Sequence, residues 1–246
     1  MIKKVVIAAA GRGSRMLDLS KDKPKHLIEV CGHPFLFYLL NNLLEAGYKE
    51  LILVVGYKNE RIKEFLKTFK HKDKVTLVNQ FDILGEEEYG TACVLRCLKG
   101  VINNDNFLTV YGDNLYSVED LKSFGNINSD YSYVAGFYHD CPEKYGVLKE
   151  KDGFLEKIIE KPKQNVGNLI NVGLYSFTPE ILEKVEEIEK SERGEYELTD
   201  AVNLLAKEKK VKVRKLQDSW LDFGNPSDIV LISNFLKNKD LKAQEK

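Results

Sequence analysis

Gly11, Arg12, Gly13, Ser14 and Arg15 follow a six-residue apolar run, Val5 to Ala10. A strand that ends in glycines and arginines offers free backbone N–H groups and guanidinium forks, and both match phosphate oxygens. Lys25 lies ten positions beyond Arg15, and Pro24 fixes the backbone just ahead of it. A lysine held by a rigid turn near such a loop suits a polyphosphate as a point charge, although taken alone it reads equally as a solvated side chain. Further along, Asp113 follows Val110 and Tyr111, and Asp222 follows Trp220 and Leu221. Each carboxylate closes an apolar or aromatic run, but "GDN" at 112–114 is also good turn sequence, so Asp113 alone reads as well as a strand-end turn.

Two common phosphate seats are excluded by residue type. The dinucleotide fingerprint needs a third glycine three residues after the second, and Gly13 is followed by Ser14, Arg15 and Met16. It also wants an acid at the end of the second strand, where this chain reads "VVGYKN". The GxxxxGK[ST] loop is absent. A dehydrogenase is therefore a distant reading.

The elements that must carry these residues alternate. "KKVVIAAA", "ELILVVGY", "KVTLVNQ" and "NFLTVYGDN" read as strands. "PFLFYLLNNLLEAG", ending at Gly47, "NERIKEFLKTF", with Asn59 as N-cap, and "GTACVLRCLKGV" read as helices. Beyond about residue 130 the chain turns strand-rich, with a hairpin turn at Lys151–Gly153, then a helix in "ELTDAVNLLAKEKK", a strand in "VKVRKLQ" and a last helix from about Pro226. The pattern predicts one α/β unit: a Rossmann-like, mostly parallel sheet flanked by helices, with extra strands in the C-terminal half. Ligands in such sheets bind beyond the carboxyl ends of strands, where Gly11, Gln80 and Asp113 fall.

Composition narrows the partners. Thirty-seven basic and 38 acidic side chains leave a net charge of −1, which argues against a nucleic-acid-coating surface. No apolar stretch approaches the ~20 residues of a membrane span, and the N-terminus does not read as a signal peptide. Cys93 and Cys97, one helical turn apart, read as buried core, and His26, His33, His71 and His139 supply no metal cluster. A cytoplasmic, reducing setting follows.

Seven motifs occur in order: "AAAGRGSRM…KPKHLIEV", "GYKNERIKEFL", "YGTACVL", "VYGDNLY", "KYGVLKEKDGFLEKIIEKP", "INVGLYSF", and "RGEYELTDAV" with "SWLDFGNPSDI". Together they resemble the sugar-1-phosphate nucleotidylyltransferases over about 220 residues. The resemblance implies a nucleotide-diphospho-sugar transferase fold filling 1–246 as one domain. A nucleotide-binding half of about 1–125 would be followed by a sugar-binding half of about 126–235 and a frayed tail at 236–246.

The resemblance also implies roles. A sugar phosphate oxygen attacks the α-phosphorus of a nucleoside triphosphate and pyrophosphate leaves, so positioning and charge neutralisation dominate. Asp113 and Asp222 would share one Mg²⁺, an ion that takes hard carboxylate and phosphate oxygens. Arg15 and Lys25 would hold the triphosphate and the leaving pyrophosphate, with backbone groups from Ala10, Gly11 and Gly13 assisting. Gly90 and Thr91 would meet the base, together with Gln80. Lys161 would grip the sugar phosphate, Glu160 and Asn171 the sugar hydroxyls, and Gly146 and Gly173 would leave room for the ring.

The chain departs from the family in places. Asp18 stands where proline is usual and Ser20 where threonine is. Gln80 sits farther from Gly90 than in many relatives, so either a short insertion precedes Gly90 or Gln80 does not read the base. Glu86, Glu87 and Glu88 within that gap are expected to form a solvated loop. Some family members carry a carboxy-terminal acetyltransferase repeat that these residues lack, so a second activity is not expected. The favoured substrates are UTP or dTTP with glucose 1-phosphate. GTP with mannose or heptose 1-phosphate, CTP with a polyol or choline phosphate, and a non-catalytic regulator that binds an NDP-sugar stay open, as does a homo-oligomer.

Overall fold

Val5, Ile7 and Ala9 of the first strand, β1 (Lys4–Ala9), join one hydrophobic cluster, while Val6 joins another on the opposite side. A strand apolar on both faces must be covered on both, and the rest of the fold follows from that. The computed structural model describes residues 1–11, 13–102, 104–127 and 130–244. Arg12, one of the two loop arginines expected to meet phosphate, lies outside them.

The chain continues through two short strands, β2 (Glu29–Val30) and β3 (His33–Pro34), into helix α1 (Phe35–Glu45). Gly47 follows with φ +98°, the left-handed position that lets the chain leave a helix. Next come β4 (Glu50–Val55), α2 (Asn59–Thr68), β5 (Val75–Asn79), α3 (Gln80–Leu84) and α4 (Cys93–Arg96). Then follow β6 (Phe107–Tyr111), β7 (Asn114–Tyr116), α5 (Val118–Gly125) and β8 (Ser132–Tyr138). The second half adds β9 (Gly146–Lys151), β10 (Phe154–Glu160), β11 (Leu169–Phe177), α6 (Ile181–Glu187) and α7 (Leu198–Lys207). It closes with β12 (Val211–Lys215), β13 (Trp220–Asp222) and α8 (Asp228–Gln244), which takes in most of 236–246.

Nine strands form one sheet in the order β5-β4-β1-β6-β11-β8-β12-β10-β9. It is parallel from β5 to β6, where strands and helices alternate in sequence. It turns antiparallel at β6–β11, and the added strands of the second half mix both directions. Helices α1, α2, α5 and α8 bury apolar side chains on one face, and α4, α6 and α7 on the other. At the expected hairpin, Asp152 and Gly153 both take positive φ (+53° and +78°), the geometry that matches strand twist. No helix among the described residues is long and apolar enough to cross a membrane.

Two local expectations are corrected. Asn59 is not the N-cap of α2: Lys58 holds that position at φ +52°, and the Asn59 amide reaches back to the Gly56 carbonyl at 3.4 Å. The helix predicted over "GTACVLRCLKGV" contracts to Cys93–Arg96, and at its front the backbone of Tyr89 and Ala92 is drawn off to pair with Tyr196. Cys93 and Cys97 are buried as expected, and burial pushes their thiols up to about 11 and about 12.

Candidate active site

A cleft of about 330 Å³ opens at the carboxyl ends of the parallel strands. Ala10, Gly11, Arg15, Lys25, Gln80, Gly90, Thr91, Asp113, Gly146, Glu160, Lys161, Asn171, Gly173 and Asp222 all line it. Of the residues given a site role above, Gly13 does not. Its φ is +66°, and a Cβ there would lie 3.1 Å from the Lys25 Cβ, so its lack of a side chain seats the lysine stem. Ser20 anchors the same loop by donating to the carbonyls of Gly13 (3.0 Å) and Leu17 (3.2 Å).

The two aspartates meet through a small antiparallel pair, β7–β13, in which Asp222 stands opposite Asn114. The Phe223 N–H donates to the Asp113 carbonyl at 2.8 Å. The Trp220 indole donates to Asn114 Oδ1 (2.8 Å), and Asn114 Nδ2 donates in turn to Asp113 Oδ1 (3.0 Å). Buried Asp120, in the first turn of α5, accepts from the backbone N–H groups of Gln217 and Asp218, both at 3.0 Å. That carboxylate fixes the segment leading into β13 and so places Asp222.

The charges around them are unequal. Lys25 forms an ion pair with Asp113 Oδ2. Burial pushes Asp113 up, but the lysine outweighs it and holds the carboxyl below its ordinary range. Asp222 is pushed up to about 6, first by burial and then by Asp113, against Lys25 and Arg15. The Tyr145 hydroxyl lies 3.5 Å from Asp222 Oδ2. His26 is buried in the same wall and is driven down to about 3 by burial and by Lys25, so it stays neutral.

At the other end, the glycines answer to the protein itself. A Cβ on Gly173 (φ +69°) would stand 2.3 Å from the Tyr111 ring, and one on Gly146 would stand 2.9 Å from Glu160 Oε2. Asn171 has both amide atoms engaged, with Nδ2 donating to the Tyr175 hydroxyl (2.7 Å) and Oδ1 accepting from the Gly173 N–H (3.1 Å). Burial raises the Glu160 carboxyl, Arg193 opposes and Glu197 adds to the rise. Thr91 Oγ1 accepts from the Leu198 N–H at 2.8 Å, at the start of α7.

Gly90 has the tightest constraint. Its φ is +135°, and a Cβ would fall 2.3 Å from the Tyr196 carbonyl oxygen. Gly90→Ala is expected to cost about 3 kcal/mol or more, from forbidden φ plus backbone displacement. Gly85→Ala is the control: it shares a positive φ (82°, ψ 165°) but has nothing within 4 Å, so only the backbone strain of about 1–2 kcal/mol is expected. Urea unfolding midpoints compare the two, and equal costs would mean that Tyr196 does not press on Gly90.

Sequence reasoning missed Arg193, Glu195, Glu197 and Thr199, all of which line the cleft. Arg193 donates to Glu197 Oε1 at 2.7 Å. The signal lies in "RGEYELTD", a dense polar run just ahead of a helix, whose charges read from sequence as part of the helix entry. Tyr145 and Trp220 also line the cleft, and their residue types alone give them no role. In the acidic loop Glu86 and Glu87 are exposed as expected, and the correction is confined to Glu88, which pairs with Arg96 (3.2 Å) and Lys190 (3.5 Å).

Residues 4–239 match the family described as nucleotidyl transferase. The chain is 35% identical over 245 residues to the bifunctional protein GlmU of Methanocaldococcus jannaschii, covering 97% of this chain and 56% of that one. It is 34% identical over 234 residues to the bifunctional sugar-1-phosphate nucleotidylyltransferase/acetyltransferase of Sulfurisphaera tokodaii, with coverages of 94% and 55%. It thus spans about half the length of both relatives. Against the UTP–glucose-1-phosphate uridylyltransferase AglF of Haloferax volcanii, identity is 32% over 248 residues, covering 98% of this chain and 100% of that one. A UDP-glucose pyrophosphorylase solved with UDP-glucose superposes with a TM-score of 0.85 at 24% identity, over 97% of this chain and 100% of the other, and so shares the fold.

Proposed function

We propose a function on one premise: the chain belongs to the nucleotidyl transferase family. It transfers a nucleotidyl group from a nucleoside triphosphate to a sugar 1-phosphate, releasing pyrophosphate. The favoured pair is UTP or dTTP with glucose 1-phosphate, in keeping with the names of AglF and its kind. One observation carries the reading. Two carboxylates far apart in the sequence stand together beyond the strand ends, with Lys25 and Arg15 beside them in one cleft.

Nucleotidyltransferases of this family generally use a divalent metal. Asp113 and Asp222 fit magnesium by donor chemistry, as two hard oxygen ligands that leave room for phosphate oxygens. The rise of Asp222 to about 6 fits as well, because it marks a second carboxylate whose charge is not neutralised by the protein. When bound there, the ion supplies positive charge to the reacting phosphates. With two carboxylates offered by the protein, substrate phosphate oxygens and water would complete the octahedral set that magnesium takes.

The protein's own groups do the rest. Arg15 and Lys25 neutralise the β- and γ-phosphates and the charge that grows on pyrophosphate as it leaves. Lys161 draws the sugar phosphate toward the α-phosphorus, turning a two-body encounter into a positioned one. Glu160 and Asn171 hold the sugar hydroxyls. Gln80, Gly90 and Thr91 border the base. Nucleotide is held by residues up to about 125 and sugar by those from about 126. The four cysteines are free thiols, which suits the cytoplasm.

Pyrophosphate release tests the reading across UTP, dTTP, GTP and CTP, each with glucose, mannose and heptose 1-phosphates and choline phosphate. Magnesium-dependent turnover fastest with UTP or dTTP and glucose 1-phosphate is expected. Tight NDP-sugar binding with no turnover from any pair would overturn the enzyme reading in favour of a regulator.

A further inference from the structure

We infer that the Lys25 ammonium is a place-holder: it sits on the Asp113 oxygen offered to the divalent ion and turns to the triphosphate once that oxygen is taken over. The inference rests on the nucleotidyl reading and adds how metal and triphosphate depend on each other. The two oxygens of Asp113 are unequal. Oδ1 accepts from Asn114 Nδ2 at 3.0 Å. The sense of that amide is fixed, because its own Oδ1 accepts from the Trp220 indole at 2.8 Å and an indole N–H only donates. Asn114 and Trp220 are both buried and stand on the paired strands β7 and β13. Oδ1 therefore keeps a neutral partner on a rigid support. Oδ2 carries the lysine ammonium instead, so a cation of the chain already holds the oxygen that a metal would use.

Lys25 is built to let go at its tip alone. Pro24 (φ −59°) and the turn Lys25–Leu27 fix its backbone, with the Leu27 N–H donating to the Pro24 carbonyl at 2.9 Å. The stem lies against Gly13, where a Cβ would stand 3.1, 3.2 and 3.4 Å from the lysine Cβ, Cγ and Cδ. Beyond Cδ a short rotatable arm carries a point charge, and it changes partner without moving the loop. The side chain is 11% exposed, so the ammonium needs an anion in every state. A divalent cation on the same carboxylate would repel it. The triphosphate supplies the replacement anion, and the glycine loop that packs the lysine stem is the one proposed to hold it. Metal and triphosphate are thereby coupled: each binds weakly alone and each strengthens the other. Arg15, which is exposed, meets phosphate with no such exchange.

Calorimetric titration of the whole chain with Mn²⁺ alone, at pH 8, tests the exchange without nucleotide; Mn²⁺ takes the same oxygen ligands as magnesium. Lys25→Met is expected to bind Mn²⁺ about 30-fold more tightly than the wild type, because no ammonium has to be displaced. Lys25→Gln leaves Asp113 a hydrogen-bond donor without the charge, so it should tighten binding likewise, and it carries the test should Lys25→Met not fold. Lys25→Arg keeps the charge and should stay within about 3-fold of the wild type. Arg15→Met also removes a positive charge from the cleft and should gain about 3-fold or less, which separates displacement from a general change of field. Pyrophosphate release moves the other way: at saturating Mn²⁺ both uncharged Lys25 variants should be slower than the wild type by about 10²-fold. A lysine that only gripped phosphate would slow turnover and leave Mn²⁺ affinity unchanged. Mn²⁺ affinities of Lys25→Met and Lys25→Gln within 3-fold of the wild type therefore overturn the inference. So does an equal gain in Arg15→Met, or no Mn²⁺ binding by any of these proteins. The nucleotidyl reading fails separately, if the wild type releases no pyrophosphate from any pair of substrates whatever its Mn²⁺ affinity.

Discussion

Asp113→Asn is expected to stop turnover and to destabilise the fold, through two separate causes. The first is chemical. The neutral amide removes one of the two carboxylates proposed for magnesium, and kcat should fall about 10³-fold, the scale of a lost charge-stabilising group. The second is local to the protein. The Lys25 side chain is 11% exposed and its ammonium rests on the Asp113 carboxylate. In the variant Oδ1 can still accept from Asn114 Nδ2, which leaves an NH₂ group facing the lysine. A buried cation stripped of its partner costs about 3 kcal/mol. Pyrophosphate release and urea unfolding read the two effects. Adding Lys25→Met removes the stranded charge, so the double variant should recover stability and stay inactive. Wild-type turnover in Asp113→Asn would remove the residue from the reaction. Unchanged stability would mean that Lys25 finds another partner.

That ion pair shows what a one-dimensional reading holds. β1 and its glycine loop were legible because local rules produce them: an apolar run ends where glycines and charges begin. The meeting of Asp113 with Asp222 was not legible from local pattern and rested on resemblance. Physically it depends on the β7–β13 register, and that is set by distant contacts such as Trp220 with Asn114 and Asp120 with Gln217 and Asp218. Glycines mislead in a different way. Gly146 and Gly173 read as room for a sugar ring, whereas a side chain there would strike Glu160 or Tyr111. A sequence shows that a side chain is missing, not whether protein or ligand fills the gap. Glu88 fails for the reason that charge runs generally do. Composition assigns them to solvent, and only the fold brings up Arg96 and Lys190.

Asp222→Asn is expected to abolish turnover like Asp113→Asn but to stabilise the metal-free protein. Burial, Asp113 and Asp228 push the Asp222 carboxyl up, Lys25 and Arg15 pull it down, and it settles at about 6. Tyr145 is the remaining titratable neighbour, with its hydroxyl at 3.5 Å. The native state therefore holds this proton more tightly than the unfolded chain, whose aspartate titrates near 3.8. As pH rises from about 4 through about 6, folding must surrender that proton and stability falls, by about 1.4 kcal/mol for each unit between the two values. Asparagine never ionises, so its advantage is absent near pH 4 and full above pH 7, at about 2–3 kcal/mol. For a domain of this size that is a rise of about 5–10 °C in Tm. Thermal unfolding in EDTA at pH 4.5 and pH 8 measures it. Magnesium acts in the opposite direction, since it binds the ionised carboxylate: it should raise the wild-type Tm more at pH 8 than at pH 5.5, and raise that of Asp222→Asn less at either pH. A wild type more stable than Asp222→Asn at pH 8 without metal would mean that Arg15 and Lys25 already neutralise both carboxylates, leaving no unmet charge to draw the ion.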